Sequence, residues 1–397
     1  MSDILTFFLI IIFLPTFSCS SKENIQNQTV ISSNEFVEIQ IDKAEKKFDF
    51  NEIIDSIDLI ELESPENQII ASCDKVISFE NDLYILDKKQ SIINKFSTSG
   101  KFIAQLTTLG KGPGEVTRIS DFTVDEPNKE IIVFDKGSGI LFMDLHGKFL
   151  RKTAFSPYPD RFEQISPNEM LFYNDYNYFK SDGPYNFSVV DKEGTLVTSF
   201  FDYPGGQVCL SNDFGGILSK CEDGVLCSNG LSSNIYRIRR SNSSEKKILI
   251  KKEYVFDLGD MGVPIEEDEV CEYFSRNYMN FEVSYMFKNF YETPNKSLIF
   301  AFVIGNKIFK GFFIKDKAYI ADKSKKDVYN YLFELPVGIS RNMFFAQVAY
   351  EDIYKIKGDK YLLEQLVKEK PTLATKIRSM RGENQGRQVI ACVKLKE

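Results

Sequence analysis

The chain has 397 residues, among them 35 Phe and 19 Tyr but no Trp and a single His, and its formal net charge at pH 7 is −8. Hydrophobic residues make up 43% and charged residues 27% of the chain, which is close to an ordinary globular protein and argues against a disordered one. The single His excludes zinc sites built from several histidines, and the negative charge argues against a nucleic-acid partner. The length allows one large domain or a few small ones, and no cofactor is predicted.

The N-terminus carries an apolar run at residues 4–17, ILTFFLIIIFLPTF. Since a transmembrane helix needs about 20 apolar residues, the run is predicted to belong to a secretory signal peptide over residues 1–18. The following Ser18-Cys19 resembles a bacterial lipoprotein cleavage site, which implies that Cys19 is the lipidated N-terminus of an exported protein. The alternative is an ordinary cleaved signal peptide, in which Cys19 has no role. Residues 19–34 are predicted to form a polar tether.

The chain has seven cysteines, and six remain if Cys19 is lipidated. An even number is compatible with an oxidising compartment. Cys209, Cys221 and Cys227 lie close together in sequence, so one local disulfide is possible. We favour the interpretation that most cysteines are buried as small hydrophobic side chains, because no Cys-x-x-Cys pair occurs.

Three sequence repeats are marked by glycines at positions 100, 147 and 194, which are equally spaced. Each glycine ends a β-hairpin pattern, and Ser241 continues the series. In the second repeat the pattern predicts strands at residues 119–124, 130–135, 140–145 and 148–155, separated by turns rich in Pro, Asn and Gly. Four short antiparallel strands within about 45 residues are typical of one β-propeller blade.

The later repeats match the blade pattern less closely. A fifth blade is predicted from strands at 296–304, 307–314 and 318–321. A sixth blade is predicted from strands at 328–333, 343–348 and 389–394, with a short amphipathic helix at 360–370 inserted before its last strand. An early strand at 35–41 is predicted to pair with the last strand, which would close the ring and leave no open sheet edge.

Several motifs resemble those of a known family. They are IDLIELE at 57–63, LYILD at 83–87, GKGPGE at 110–115 followed by ISDFTVD at 119–125, YETP at 291–294 and VIACVKLK at 389–396. They resemble the six-bladed β-propeller proteins of Bacteroidetes, which are often lipoproteins of unassigned function. The resemblance covers nearly the whole mature chain. It implies an all-β propeller of six four-stranded antiparallel blades at residues 35–397, and it implies no catalytic residue.

The GKGPGE motif gives the first candidate site. It lies between the last strand of one predicted blade and the first strand of the next, on the usual ligand face of a propeller. Lys111, Glu115 and Arg118 are therefore predicted to line the mouth of the central channel. The alternative, which we favour, is a tight crossover between blades that needs the backbone freedom of glycine.

Tyrosines of the third blade give the second candidate site, since Tyr is enriched in recognition surfaces. Tyr173, Tyr176 and Tyr178 are predicted to bind a partner, with packing between blades as the alternative. The single His146 is predicted to lie on a turn of the opposite face. Asp87, Asp135 and Asp191 recur in the repeats, and hydrogen-bonded caps explain them more simply than a bound cation.

These patterns predict a cell-envelope propeller in the periplasm, at the outer membrane or at the cell surface, lipid-anchored at Cys19. We expect a binding or scaffold module that recognises a glycan, peptide or protein partner through one face. The alternative is a carbohydrate-active or lyase-type enzyme that uses Asp, Glu, Tyr and Arg at the channel mouth. No metal site is predicted, and nothing in the sequence identifies the ligand.

Overall fold

The computed structural model describes residues 29–32, 35–64, 69–156, 158–174, 183–202, 216–228, 232–242, 247–259, 284–304, 307–321, 326–333, 335–380 and 388–396. These residues contain six sheets, each built on four antiparallel strands, and one of the sheets carries two additional parallel strands at its outer edge. The first strand of each sheet contacts the first strand of the next, and the sixth contacts the first. The six sheets are therefore the blades of a propeller, as predicted, and their first strands line a central channel.

The blades are numbered in chain order, and the strands of each blade are given from the inner to the outer one. Blade 1 comprises Lys75–Phe79, Asp82–Asp87, Ile92–Ser97 and Phe102–Gln105. Blade 2 comprises Ile119–Asp125, Glu130–Asp135, Gly139–Asp144 and Phe149–Thr153. Blade 3 comprises Arg161–Ser166, Glu169–Tyr173, Tyr185–Asp191 and Leu196–Asp202.

The second half of the ring is built in the same way. Blade 4 comprises Leu218–Cys221, Gly224–Ser228, Asn234–Arg240 and Ile248–Asp257. Blade 5 comprises Ser284–Glu292, Leu298–Ile304, Lys307–Ile314 and Lys317–Ala321. Blade 6 comprises Pro336–Ser340, Met343–Val348, Val389–Leu395 and Ile54–Glu61, so its outer strand comes from the N-terminal part of the chain.

The glycines of the repeat occupy equivalent turns between the third and the outer strands of blades 1–3. Gly100, Gly147 and Gly194 have φ angles of 87°, 84° and 88°, a region in which L-residues with a Cβ are strained. A Cβ at Gly147 would also stand 2.7 Å from the carbonyl oxygen of Leu106. The regular spacing of these glycines therefore has a steric cause.

Aromatic rings fill the spaces between neighbouring blades. Phe134 of blade 2 and Phe172 of blade 3 meet edge to face, with ring centroids 5.7 Å apart. Phe155, in the crossover between these blades, stacks on Phe172 at 4.9 Å. Such pairs add to the stabilisation that apolar burial provides, and they explain why the chain is rich in Phe.

The ring closes through a different strand from the predicted one. Val37–Gln40 does not pair with the last strand but lies parallel to Ile248–Asp257 along the outer edge of blade 4, beside Thr29–Ser32. Closure is made by Ile54–Glu61, which pairs antiparallel with Val389–Leu395. The physical reason is amphipathicity, because the strand at 54–61 buries Ile57 and Leu59, whereas the strand at 37–40 exposes every residue except Ile39.

Helices occur near the C-terminus. Val328–Leu332, predicted as a strand, is a short helix whose N-cap Asp327 accepts a hydrogen bond from the N–H of Tyr329 at 2.9 Å. The predicted helix at 360–370 is confirmed as Lys360–Glu369. The remaining helices are listed here: Phe50–Ile53, Tyr350–Gly358 and Pro371–Ser379. Leu362, Leu366 and Leu373 share one buried cluster with residues of blades 5 and 6.

Candidate functional site

One end of the propeller carries a cavity, which we call the mouth cavity. Because the strands are antiparallel, the starts of the inner strands and the ends of the second strands lie at this same end. The cavity has a volume of about 460 Å³, within the range of small-molecule sites. It receives residues from all six blades, for example Asp74, Arg118, Arg161, Leu218, Tyr291 and Val337.

The mouth cavity is cationic. Among the described residues that line it are five cationic side chains and three carboxylates, which gives it a formal charge of +2 within a chain of −8. The cationic residues are Lys75, Lys88, Arg118, Lys136 and Arg161, and the acidic ones are Asp74, Asp121 and Asp160. The sign of the cavity is therefore opposite to that of the whole chain.

Below the mouth, an ionic network joins the inner strands of blades 1–3. The Lys75 Nζ lies 2.5 Å from Oε1 of Glu163 and 3.2 Å from Oδ1 of Asp121. Burial acts to lower the pKa of Lys75, but the two carboxylates outweigh burial and raise the pKa above its ordinary value. Thr123 Oγ1 donates to Glu163 at 2.9 Å. The charges of this network are paired and hydrogen-bonded, so the network holds the channel wall together.

A second ion pair lies nearer the opening. The Lys136 Nζ is 2.5 Å from Oδ1 of Asp160. Burial acts to raise the pKa of Asp160, but Lys136, together with Lys88 and Arg161, outweighs burial and lowers the pKa. Asp160 is consequently ionised at neutral pH and has no proton to give as a general acid.

Two cations of the mouth cavity are not paired. Within the described part of the chain, neither the half-buried Lys88 nor the exposed Arg118 makes a side-chain hydrogen bond or ion pair. Burial, followed by the charge of Arg161, lowers the pKa of Lys88 to about 8. Arg161 itself has its Nη1 at 3.9 Å from Oδ1 of Asp121, a long contact. The cavity therefore offers positive charge that the protein does not neutralise.

Aspartates at the ends of the second strands position these cations. Asp135 Oδ1 accepts from the N–H groups of Thr117 and Arg118 at 2.8 and 2.5 Å. Burial acts to raise the pKa of Asp135, but Ser138 and these backbone donors outweigh it and lower the pKa. Asp87 holds the corresponding crossover of blade 1 through the N–H of Ala71 at 2.6 Å. The crossovers are thus tied to their own blades.

The predicted capping role is confirmed for Asp87 and Asp135, but the predicted equivalence of Asp191 is wrong. Asp191 ends the third strand of its blade and accepts from the N–H of Thr195 at 2.7 Å. Its counterpart in blade 2 is Asp144, which accepts from the N–H of His146 at 2.8 Å. His146 lies exposed on that hairpin turn, opposite the mouth, as predicted.

The GKGPGE segment folds back on itself. Glu115 Oε2 accepts from the N–H of Gly112 at 2.7 Å, and Gly110 donates to the carbonyl of Val116. Lys111 and Glu115 are not among the residues that line the mouth cavity, whereas Arg118 is. The segment therefore forms the tight crossover that was the favoured alternative, and of its three candidates only Arg118 faces the cavity.

Of the three tyrosine candidates, one lies among the described residues. Tyr173 is buried, with its ring 5.5 Å from that of Phe187, in the core between blades 3 and 4. It packs between blades, as the alternative stated, and offers no exposed recognition surface. Tyr176 and Tyr178 lie outside the described residues.

Sequence reasoning missed Lys88, Lys136 and Arg161. A signal for the two lysines was present, because each follows the capping aspartate at the same position of the repeat, in Asp87-Lys88 and Asp135-Lys136.

Four cysteines lie among the described residues, and each is a free thiol: Cys73, Cys221, Cys227 and Cys392. Cys73, Cys227 and Cys392 are buried, as expected for small hydrophobic side chains, and burial raises the pKa of each thiol. Cys221 and Cys227 are not bonded to each other. Cys19, Cys209 and Cys271 lie outside the described residues.

A contrasting charged group lies between blades 4 and 5, and we call it the Arg237 cluster: Arg237, Glu253, Tyr254 and Glu292. Arg237 Nη2 lies 2.7 Å from Oε2 of Glu292 and 3.2 Å from Oε1 of Glu253. Tyr254 donates its hydroxyl to Glu292 at 2.5 Å. Burial acts to lower the pKa of Arg237, but Cys221, Glu253 and Glu292 outweigh it and raise the pKa.

In the described part of the chain, no helix is both long and apolar enough to cross a membrane.

Comparisons with known proteins agree with this architecture. Residues 36–382 match the family model described as a domain of unknown function, DUF4934. The chain is similar to a solved structure of a protein described as exported, from Bacteroides fragilis NCTC 9343, with 16% identity over 91% of this chain and 100% of that chain and a TM-score of 0.73. A DUF4221 family member from Bacteroides vulgatus has 10% identity over 87% and 98% of the two chains and a TM-score of 0.53.

At such identities the likeness shows the fold alone. A search of curated proteins found no match. The resemblance to six-bladed propellers of Bacteroidetes of unassigned function, inferred above from short motifs, is confirmed.

Proposed function

Because the chain belongs to the DUF4934 family, which is described as a domain of unknown function, we propose its role from the geometry of its own channel mouth. The protein is a cell-envelope binding or scaffold module. Its ligand is a glycan, a peptide or a protein partner that contacts the face carrying the mouth cavity. The observation that supports this proposal is a cavity of ligand size, lined from all six blades, in which Lys88 and Arg118 have no partner within the described residues.

The enzyme alternative has less support. A glycosidase needs a carboxylic acid that stays protonated near neutral pH. The pKa of Asp160 is lowered, not raised, by the surrounding cations, Lys136 first among them. The carboxylate of Asp160 is suited to holding those cations in place.

The test of the binding proposal is a ligand screen by thermal shift, with glycans and peptides as probes. Ligand at 100 times its dissociation constant stabilises a protein by about 2.7 kcal/mol. Leu335 lines the mouth cavity and is half-buried, so Leu335→Trp should fill the opening and abolish the shift. The matched control is Leu150→Trp, on the exposed outer strand of blade 2. A ligand whose shift survives Leu335→Trp would place binding elsewhere and contradict the proposal.

Export and lipid anchoring at Cys19 are a further part of the proposal. Thr29–Ser32 pairs with the outer strand of blade 4, and the short segment between Cys19 and Thr29 spans at most about 35 Å when extended. A lipid at Cys19 would thus hold the edge of blade 4 near the membrane. We expect Cys19→Ala to abolish globomycin-sensitive processing and membrane association. A wild-type protein that is unlipidated and released in soluble form would contradict the anchor and leave the binding proposal untouched.

A further inference from the structure

In the described part of the mouth cavity, the charged side chains all come from one half of the ring. The eight charged residues that line the cavity belong to blades 1–3 or to the loops of those blades. Among the described residues of the lining, blades 4–6 and their loops contribute only uncharged side chains: Leu218, Asn289, Tyr291, Leu335, Val337 and Gln347. The described lining therefore has a charged half and an uncharged half that face each other across the channel axis.

Within the described residues, two cations of the charged half have no ion-pair partner. Lys75 and Lys136 are paired with Glu163 and Asp160, both at 2.5 Å. Lys88 and Arg118 have no such partner in the described part of the chain, so an anionic group in the cavity would find two donors that no protein carboxylate occupies. A planar carboxylate suits the guanidinium of Arg118, which can donate two parallel hydrogen bonds.

The uncharged half combines three aliphatic side chains and Tyr291 with the amides of Asn289 and Gln347. Leu335 and Val337 are half-buried beside the opening, and Leu218 is nearly buried. Tyr291 lies deeper, where burial raises the pKa of its hydroxyl. An apolar group placed against these side chains would lose its contact with water, which is favourable in proportion to the area covered.

We infer that the mouth cavity binds a carboxylate joined to an apolar body, with the carboxylate against blades 1–3 and the apolar body against blades 4–6. This inference rests on the proposed function and narrows it to one ligand chemistry. A free aliphatic or aromatic acid has this chemistry, and so does the C-terminal residue of a peptide that ends in an apolar side chain.

The test is calorimetric titration with probes that separate charge from apolarity. 3-Phenylpropionate has both features, 3-phenylpropanol has only the apolar body, and galacturonate has only the carboxylate. We expect 3-phenylpropionate to bind about tenfold or more tightly than either of the other two, since charge-assisted hydrogen bonds are about twice as strong as neutral ones. A peptide ending in Phe, with a free or an amidated C-terminus, tells the two sources apart. Tighter binding of the free peptide than of 3-phenylpropionate identifies a peptide C-terminus.

Substitutions in each half of the cavity test which half binds the carboxylate and which binds the phenyl group. Lys88→Met and Arg118→Gln should each weaken 3-phenylpropionate about tenfold and leave 3-phenylpropanol unchanged. Leu335→Asn should weaken both phenyl probes. The matched control is Lys152→Met, an exposed lysine on the outer strand of blade 2 outside the cavity, which should change nothing. Thermal unfolding of each variant excludes loss of folding as the cause.

Three outcomes would overturn the inference. They are no binding of any apolar acid, equal binding of galacturonate and 3-phenylpropionate, or binding that is insensitive to Lys88→Met and Arg118→Gln. If a neutral glycan binds and Leu335→Trp abolishes its binding, this inference fails and the proposed function stands. If every ligand found binds to Leu335→Trp as to wild type, both fail.

Discussion

The Arg237 cluster and the mouth cavity both gather cationic side chains, but they differ in what those cations contact. Arg237 is 4% exposed and is held by Glu292, which is 2% exposed, and by Glu253. Lys88 and Arg118 face an open cavity and have no such partner among the described residues. Paired charges between blades stabilise the ring, whereas unpaired charges at its mouth are available to a ligand. Pairing, more than charge itself, separates structural from binding residues here.

The largest loss of stability is expected from substitution of Arg237, to which the comparison gives a purely structural role. Arg237→Leu removes the buried cation of Glu292 and leaves only the exposed Lys296 beside that carboxylate, and removing one partner of a buried ion pair costs about 3–5 kcal/mol. The free energy of unfolding, measured in guanidinium chloride, should fall by this amount. Arg239→Leu is the control, because its pair with Asp223 is exposed and should contribute less than about 1 kcal/mol. Equal effects of the two substitutions would contradict the assignment.

A smaller loss of stability is expected at Asp135, which holds the crossover that carries Arg118 to the mouth cavity. Asp135→Ala removes the acceptor of the crossover that carries Arg118, and it should lower the free energy of unfolding by roughly 3 kcal/mol. Asp191→Ala, which removes one backbone acceptor on a hairpin turn, should cost about 1 kcal/mol.

The loss of unfolding free energy caused by Asp135→Ala should also depend on pH. The pKa of Asp135 is lowered from its ordinary value of 3.8, so its contribution is present above about pH 4 and disappears as the pH falls below its lowered pKa. Urea unfolding between pH 6 and pH 2 should show the wild type and Asp135→Ala converging. A constant difference over this range would refute the charged role of Asp135.

The smallest change in stability at neutral pH is expected at the mouth. Lys88 faces Arg161 and the carboxylates of Asp74, Asp121 and Asp160, and its pKa is lowered to about 8 from 10.5. The unfolded chain therefore keeps this proton at a higher pH than the folded protein does. The free energy of unfolding of the wild type should rise with pH between about 8 and about 10 relative to that of Lys88→Met.

Lys88→Met should not lower the free energy of unfolding at pH 7, because no ion pair is broken and the lowered pKa means that burial disfavours the charged amine in the folded protein. Lys152→Met is the control and should follow the wild-type pH dependence. Over the same range the affinity for an anionic probe should decrease in the wild type, since Lys88 loses its charge. Parallel curves for the wild type and Lys88→Met would show that Lys88 titrates normally.

Much of the fold could be predicted from sequence, because a blade is a local unit. The turn at Gly147 and the strands around it depend on residues within one repeat, and the three positive φ angles explain the constant spacing. Ring closure could not be assigned in this way. It requires residues 54–61 to meet residues 389–395, whereas the sequence pattern favoured the strand at 35–41 for that role. Burial of Ile57 and Leu59 along one face of the closing strand distinguished them.

The candidate site was less accessible to sequence reasoning. Arg118 was predicted through the GKGPGE motif beside it, whereas Lys88 was missed although it follows the capping Asp87, and Arg161 has no such signal. Their meeting at the channel mouth follows from the closing of the ring and from the crossovers that Asp87 and Asp135 hold.

By itself the sequence determined the propeller, its blade repeat and the positions of its turns, because strand alternation and glycine conformations are properties of neighbouring residues. Only the tertiary structure decided which strand closes the ring, which tyrosine is buried and which cations are paired. Pairing depends on distances between side chains of different blades, which no local pattern encodes. The positive charge of the mouth cavity within a negatively charged chain is the clearest case, since the composition indicates the opposite sign.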